Sequence, residues 1–550
     1  MKKLLKFDMW KLVSLFFVLL FSLILIYPLL GVLRQSVIDK DGQFTLAEFQ
    51  KFFSEPYYFK TIYNSLVITV AITFVTLVIG IPFAYFYFFY RLKGAKFLFI
   101  IAILCTMSAP FIGAYSWIML LGRSGLITRF FKDALGIRLG SIYGFNGILL
   151  VQSLKLFPLV FIYMNGVFKN IDNSLLEASE NLGCTGVKRF FKIIMQLSMP
   201  TILAAALLVF MRAFADFGTP LLIGEGYRTF PVEIYNQYLG ETGTNYSFAS
   251  AISVIAIIVT ALIFFLQKYL TSRYNFPINA MNPIPKKKAK GISGFLMHLY
   301  CYGLIAVAFL PQLYIVYLSF RNIDGGVIKE GYSFGNFISA SKRLLGRSIN
   351  NTLLFGVITL AIIILFSILI AYLVVRRRSL LNNAIDTVSM IPYIMPGSVI
   401  GIALVIAFGR QPFALTGTML IMIMALVIRR MPYTIRSVTA TLQNIPISTE
   451  EAAISLGASK AKTFLKITTP MMSNGILAGA VLSWITIVTE LSSAIILYNN
   501  RNITLTMSAY VAISRGNYGL AAAFSTILTA LTTVSLLVYL WLSKSEDIKL

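Results

Sequence analysis

A chain of 550 residues with 58% hydrophobic and 12% charged side chains has too little polar surface to enclose a soluble core, which excludes soluble enzymes and soluble binding modules. The formal net charge of +26 has no soluble basic domain to carry it, so it points to basic loops beside a membrane and to anionic lipid rather than to nucleic acid. His298, Cys105, Cys184 and Cys301 offer no pair at metal-ligand spacing, and no Gly-x-x-x-x-Gly-Lys-Ser/Thr loop exists to cradle a nucleotide.

Apolar runs long enough to cross about 30 Å of hydrocarbon fall near 11–33, 62–90, 97–121, 147–168, 198–217 and 248–270, then near 295–319, 351–375, 384–408, 416–437, 474–496 and 519–542. The expected fold is an all-α polytopic membrane protein of about twelve transmembrane helices. The opening Met1-Lys2-Lys3-Leu4-Leu5-Lys6 suits a signal peptide at first sight. The apolar run to Leu33 is too long for one and no small-x-small pattern closes it, so a retained first helix is expected. Lys2, Lys3, Lys6 and Lys11 precede span one, Arg91, Lys93 and Lys96 follow span two, and Lys188, Arg189 and Lys192 follow span four. The pattern continues with Lys286, Lys287, Lys288 and Lys290 after span six, Arg376, Arg377 and Arg378 after span eight, and Lys460, Lys462 and Lys466 after span ten. These loops share one side, which the positive-inside rule makes cytoplasmic, together with both termini.

The chain repeats itself. Ser174-Leu175-Leu176-Glu177-Ala178-Ser179-Glu180-Asn181-Leu182-Gly183 returns 274 residues later as Ser448-Thr449-Glu450-Glu451-Ala452-Ala453-Ile454-Ser455-Leu456-Gly457, and Phe190 and Ile193 return as Phe464 and Ile467. Pro158/Pro432 and Asn170-Ile171/Asn444-Ile445 keep that offset, while Asn64-Ser65-Leu66/Asn351-Thr352-Leu353 and Ala84-Tyr85/Ala371-Tyr372 keep an offset of 287. The shift puts a longer outer loop, 122–145, in the first half against 410–415 in the second. An even number of spans per half makes the two repeats parallel. Residues 1–274 are read as the first half, 275–290 as a Pro- and Lys-rich cytoplasmic linker, and 291–550 as the second half.

Within each copy, Ser-x-x-Glu reads as a capping box that opens a short helix. Gly183 and Gly457 then end it in a left-handed turn, and Thr185 and Ser459 offer a second N-cap. An isolated copy fits equally an amphipathic interfacial hairpin in which Glu177 and Glu451 only cap. Two copies in register resemble the EAA loop of the membrane-spanning subunits of ABC importers, where Glu-Ala-Ala, a glycine six residues after the Glu, and a later Ile and Leu-Pro mark a coupling helix. The second copy has Glu451-Ala452-Ala453, Gly457, Ile467 and Pro470, with Thr469 for the Leu. In the first copy Ser179 replaces the second Ala, and Met195-Gln196 stands where Leu-Pro is usual.

Charges inside spans are costly, about 2.5–3.5 kcal/mol each at mid-membrane on insertion scales, so each needs a partner or water. Span four carries Lys155 and span five Asp216; their equivalents at offset 274 are Arg429 and Glu490. Two pseudo-symmetric pairs, Lys155–Asp216 and Arg429–Glu490, are expected at the translocation pathway. The competing arrangement pairs Arg212 with Asp216 four residues along one helix and makes Arg429 or Arg430 structural.

The resemblance implies a fused, type I importer-like pseudo-dimer of two six-helix repeats in a bacterial cytoplasmic membrane. It makes Glu177, Ala178, Gly183, Glu451, Ala452, Ala453 and Gly457 the ATPase-coupling residues. Two copies of a separate ABC ATPase would bind ATP and Mg, so this chain is expected to hold no cofactor and to be a transport subunit, not an enzyme. An extracytoplasmic binding protein would deliver substrate, and alternating access would carry it in. Fused permeases with two such loops look like the ferric-iron branch, and Phe214 to Pro220 with Thr229 to Tyr235 is similar to that branch. The expected cargo is ferric iron, with aminoethylphosphonate, thiamine or a polyamine as alternatives. A secondary transporter is the rival class.

Overall fold

The computed structural model describes residues 9–39, 41–107, 110–239, 245–273, 282–324 and 327–543. Lys2, Lys3, Lys6 and linker residues 275–281 lie outside them. Helices dominate, because inside hydrocarbon every backbone amide and carbonyl must be satisfied within its own segment. Among the described residues two small sheets accompany them, Tyr90–Arg91 with Lys287–Lys288 and the hairpin Arg321–Asp324/Val327–Tyr332.

Among the described residues 8 helices are long and apolar enough to span a membrane, and 11 if each of three bent pairs counts once. They cover every expected run but one. The remaining run, near 416–437, is the 25-residue helix Met419–Gln443, long enough to span but carrying Arg429, Arg430 and Arg436. Its charges, not its length, set it apart, and its apolar side chains are largely buried in protein. The run near 384–408 is broken: Leu380–Ile394 and Gly397–Phe408 meet at 111°. Pro396 stands at the corner in an extended conformation, where its lack of an amide hydrogen ends one helix and suits the start of the next.

The chain folds into two compact units that cut across the sequence halves. One comprises Met1–Lys51, Ile234–Ala256 and Ser319–Leu550; the other comprises Phe52–Glu233 and Ile257–Leu318. In the second of these, Pro56–Phe89 packs along Phe145–Lys169 and both pack against Met195–Phe214. Gly80 permits the approach, since a Cβ there would lie 2.8 Å from Val160 Cβ. In the first, Leu345–Arg376, Met419–Gln443 and Ser473–Val488 form the corresponding trio, and Gly479 lies against Thr434 in the same way, a Cβ there falling 2.7 Å from the threonine backbone. The first helix of the chain, Met9–Val37, belongs to this unit and packs on both arms of the broken span.

The repeated Asn-Ser/Thr pair has one structural task in both units. Asn64 Nδ2 donates to the Arg228 carbonyl at 3.1 Å, and Ser65 Oγ accepts from the Phe230 amide at 2.8 Å. Asn351 Nδ2 donates to the Arg501 and Ile503 carbonyls at 2.9 Å, and Thr352 Oγ1 accepts from the Leu505 amide at 2.8 Å. Each pair thus ties the non-helical backbone after span five to the preceding repeat helix, satisfying groups that hydrocarbon could not.

Candidate functional site

The two repeated loops fold alike. Asn173–Asn181 and Ile447–Ser455 are short helices. Each ends in a pair of backbone bonds characteristic of a left-handed glycine stop: Gly183 N to Glu180 O and Cys184 N to Ser179 O, 2.9 and 2.8 Å, and Gly457 N to Ile454 O and Ala458 N to Ala453 O, 2.9 and 3.0 Å. Gly183 and Gly457 have φ of 73° and 88°, which a Cβ disfavours. The chain then re-enters a helix through a single π turn at Phe190–Ile194 in one copy and Phe464–Thr468 in the other.

Capping differs from the sequence expectation. Ser174 and Ser448 lie inside the first turn and do not cap it. Asp172 is the N-cap of the first copy and accepts from the Ser174 amide, and Pro446 precedes the second with no side-chain cap. The aspartate two residues upstream is a stronger acceptor than a serine hydroxyl and takes the position. It also accepts from the Asn282 amide at 3.1 Å. Glu177 consequently takes a hydrogen bond from Asn173 Nδ2 at 2.6 Å. In the second elbow Ser459 Oγ does cap, accepting from Lys462 N at 3.3 Å, whereas Thr185 makes no such bond.

Exposure separates the residues of the loop. Glu177, Ala178, Glu451 and Ala452 are exposed, and Ala453 and its counterpart Ser179 are buried. Ser179 fits that buried place because its hydroxyl donates to the Leu176 carbonyl at 2.7 Å. The acid held by the protein is Glu450: its Oε1 accepts from Arg376 Nε at 2.8 Å and its Oε2 from Tyr372 OH at 3.2 Å, while Arg376 Nη2 donates to the Ile445 carbonyl at 2.7 Å. The equivalent of Glu450 in the first copy is Leu176, also buried. Both copies share an aromatic clamp, Tyr85 on Phe190 and Tyr372 on Phe464, each with ring centroids 4.8 Å apart. Each loop tip bears an almost wholly exposed leucine, Leu182 at 86% and Leu456 at 90%.

The charges of spans four and five fall into unequal arrangements. Glu490 accepts from both Arg429 and Arg430, and its Oε1 also accepts from Ser492 Oγ, Ser493 Oγ and the Ser493 amide at 2.9–3.0 Å. Asp216 accepts through Oδ2 from Gln152 Nε2 at 3.0 Å and from the Thr219 amide at 3.2 Å. Ser493 and Thr219 are equivalent, three residues after their acids. Both acids therefore accept from the amide where the chain turns after span five, a role the spacing Asp-x-x-Thr and Glu-x-x-Ser could have signalled. Glu490 also borders a small cavity lined by Thr352, Met422, Leu426, Ala494 and Thr504. Among the described residues no group of three or more His, Cys, Asp and Glu could hold a metal ion.

Residues 63–276 and 363–546 each match the family described as "Binding-protein-dependent transport system inner membrane component". The chain belongs to that family. It is a multi-pass membrane permease carrying the family's domain twice, a transport component of an ABC importer. The permease is 28% identical over 538 residues to the ferric transport system permease protein FbpB of Actinobacillus pleuropneumoniae, covering 96% of this chain and 77% of that one. A putative ferric transport system permease protein of Haemophilus influenzae is 28% identical over 495 residues, covering 87% and 76%. The spermidine/putrescine permease PotB of the same organism is 29% identical over 249 residues, 43% of this chain and 85% of its own. A bacterial ABC transporter involved in alginate import aligns with a TM-score of 0.40 at 16% identity, covering 48% of this chain and 96% of its own.

Proposed function

We propose that this permease imports ferric iron delivered by an extracytoplasmic binding protein. Two copies of a separate ATPase, which bind ATP and Mg, drive alternating access through Asn173–Asn181 and Ile447–Ser455 at the cytoplasmic face, where both termini also lie. The observation that carries the coupling reading is the duplicated elbow, with one backbone geometry, one π turn and one exposed leucine at each tip. An almost wholly exposed leucine on a rigid turn is a knob that a complementary groove can bury, and exposed Ala178 and Ala452 let a partner backbone come close. Long coverage by relatives named for ferric transport supports the iron reading. Hard ferric iron prefers oxygen donors, so a lack of His and Cys along the route does not oppose it.

In this reading Lys155, Asp216, Arg429 and Glu490 line or gate the translocation route. The decisive experiment is radiolabelled iron uptake into proteoliposomes containing the permease, its ATPase and the binding protein, with Leu182→Asp and Leu456→Asp variants. Both variants are expected to keep the wild-type melting temperature and to lose most binding-protein-stimulated ATP hydrolysis. Undiminished hydrolysis in both would sink the coupling assignment. Replacing iron by putrescine, thiamine or aminoethylphosphonate tests the cargo separately, since uptake of one of these alone would leave the coupling intact and remove iron.

A further inference from the structure

The corner of the broken span and the arginine opposite it leave more buried hydrogen-bond donors than the described residues satisfy. Gly397–Phe408 starts at Pro396, which has no side chain to cap the first-turn amides; those amides are donors without an intrahelical acceptor. Ser398, in that first turn, is fully buried, and its hydroxyl has no partner among the described residues. Arg429 lies directly over the turn: a Cβ on Gly397 would sit 2.3 Å from its Nη1 and 2.7 Å from its Cζ. Arg429 is only 9% exposed, and its Nε likewise finds no acceptor among the described residues.

Glu490 does not resolve this excess. Its Oε1 already accepts from Arg429 Nη1, Ser492 Oγ, Ser493 Oγ and the Ser493 amide, and its Oε2 accepts from Arg430 Nη2. A guanidinium pressed on the positive end of a helix is repelled by the helix dipole, and unsatisfied buried donors carry a further desolvation cost. Both are relieved by one acceptor-only group with several oxygens. Discontinuous membrane helices present their N-termini to anionic groups in this way.

We propose that the start of Gly397–Phe408, with the Ser398 hydroxyl and Arg429 Nε, is a binding site for one small soluble oxyanion of the phosphate or carbonate class. Gly397 is required because any side chain would fill the space the guanidinium and the Ser492 hydroxyl occupy. The site is a property of the second repeat alone: the equivalent of Arg429 is Lys155, which has no Nε–H fork. It does not depend on the cargo being iron.

The test uses the full-length permease in nanodiscs of zwitterionic lipid, melted with inorganic phosphate, then with bicarbonate, each against chloride at matched ionic strength. A saturating site raises the melting temperature by about 3 °C or more. Ser398→Ala removes one donor without touching the arginines, and Arg429→Lys keeps the charge but removes Nε; each is expected to weaken the apparent affinity at least about tenfold. Ser398→Ala, which leaves the Glu490 cluster intact, keeps the test decisive if Arg429→Lys does not fold. No shift with either anion, or an equal shift in wild type and Ser398→Ala, overturns the site. A Ser398-dependent shift produced instead by phosphatidic acid in the nanodisc, with no added anion, overturns the assignment to a soluble ion and gives the place to a lipid headgroup.

Discussion

At the scale of single residues, the acids of this permease differ by how much of their environment depends on them. Glu450 and Arg376 have side chains 9% exposed and hold each other, and the arginine also serves the Ile445 carbonyl. Removing one member strands a buried charge, which costs about 3–5 kcal/mol, whereas replacing both by apolar groups is often close to neutral. Glu450→Leu, which copies Leu176 of the first repeat, should therefore lower the melting temperature sharply, and adding Arg376→Phe, which copies Phe89, should recover most of the loss. Recovery absent in the double variant would mean the pair does more than satisfy itself. The exposed Glu451→Ala and Glu177→Ala should leave stability within about 0.5 kcal/mol. Glu490→Gln should destabilise strongly, because two guanidiniums and two serines converge on a side chain 2% exposed. Asp216→Asn should cost less than about 1.5 kcal/mol, since an amide oxygen still accepts from Gln152 and Thr219. A melting series over these variants checks the ranking. Which glutamate of Glu450-Glu451 is buried was not legible in the sequence, because the resemblance points to the second and the buried arginine that selects the first is 74 residues away. The Arg429–Glu490 pair was legible, from the repeat and the cost of charge in a membrane.

At the scale of elements, hydropathy located the spans and the repeat located the elbows, because length in hydrocarbon and glycine at a left-handed turn are local demands. The capping boxes misled because Asp172 and Pro446, just upstream, take the N-cap positions and push each helix start back. The corner at Pro396 was hidden by an apolar run that continues on both sides of it; hydropathy is blind to direction. The elbows also carry a prediction. A Cβ on Gly183 or Gly457 would meet nothing within 4 Å, so alanine at either position strains only the backbone, by about 1 kcal/mol. Both variants should fold, and amide exchange should rise over 179–189 or 453–463 accordingly. Coupling should fall more at Gly457 if the second loop, fixed by the Glu450 pair, transmits force more rigidly. Equal losses of stimulated ATP hydrolysis would show that the buried pair does not distinguish the loops.

At the scale of the whole molecule, the two compact units do not correspond to the two sequence halves. Met9–Val37 lies in the unit that holds Ser319–Leu550, and Gly291–Ser319 supplies all but its last residue to the unit that holds Phe52–Glu233. Trp10 shows what this means locally: it is 4% exposed, with its ring 4.4 Å from Tyr372 and 5.1 Å from Phe464, so the first helix of the chain completes the aromatic clamp of the second elbow. Hydropathy and repeats report what each segment needs to bury, not which of the two repeats it buries against, so this exchange was not visible in the sequence. Two consequences can be measured. Trp10→Ala, losing a large buried ring at a cost of about 3–5 kcal/mol, should loosen amide protection over 460–471 and leave 186–195 unchanged. If 186–195 loosened as much, the helix would be supporting the first elbow instead. Residues 1–281 and 282–550, expressed as separate polypeptides, should each lack a helix that its unit buries against, so each alone should aggregate or melt without cooperativity. Together they should co-purify as one species with a single transition, because each fragment supplies the missing helix of the other. Two fragments that fold alone, and exchange freely when mixed, would show that the halves, rather than the exchanged units, are the cooperative bodies of this permease.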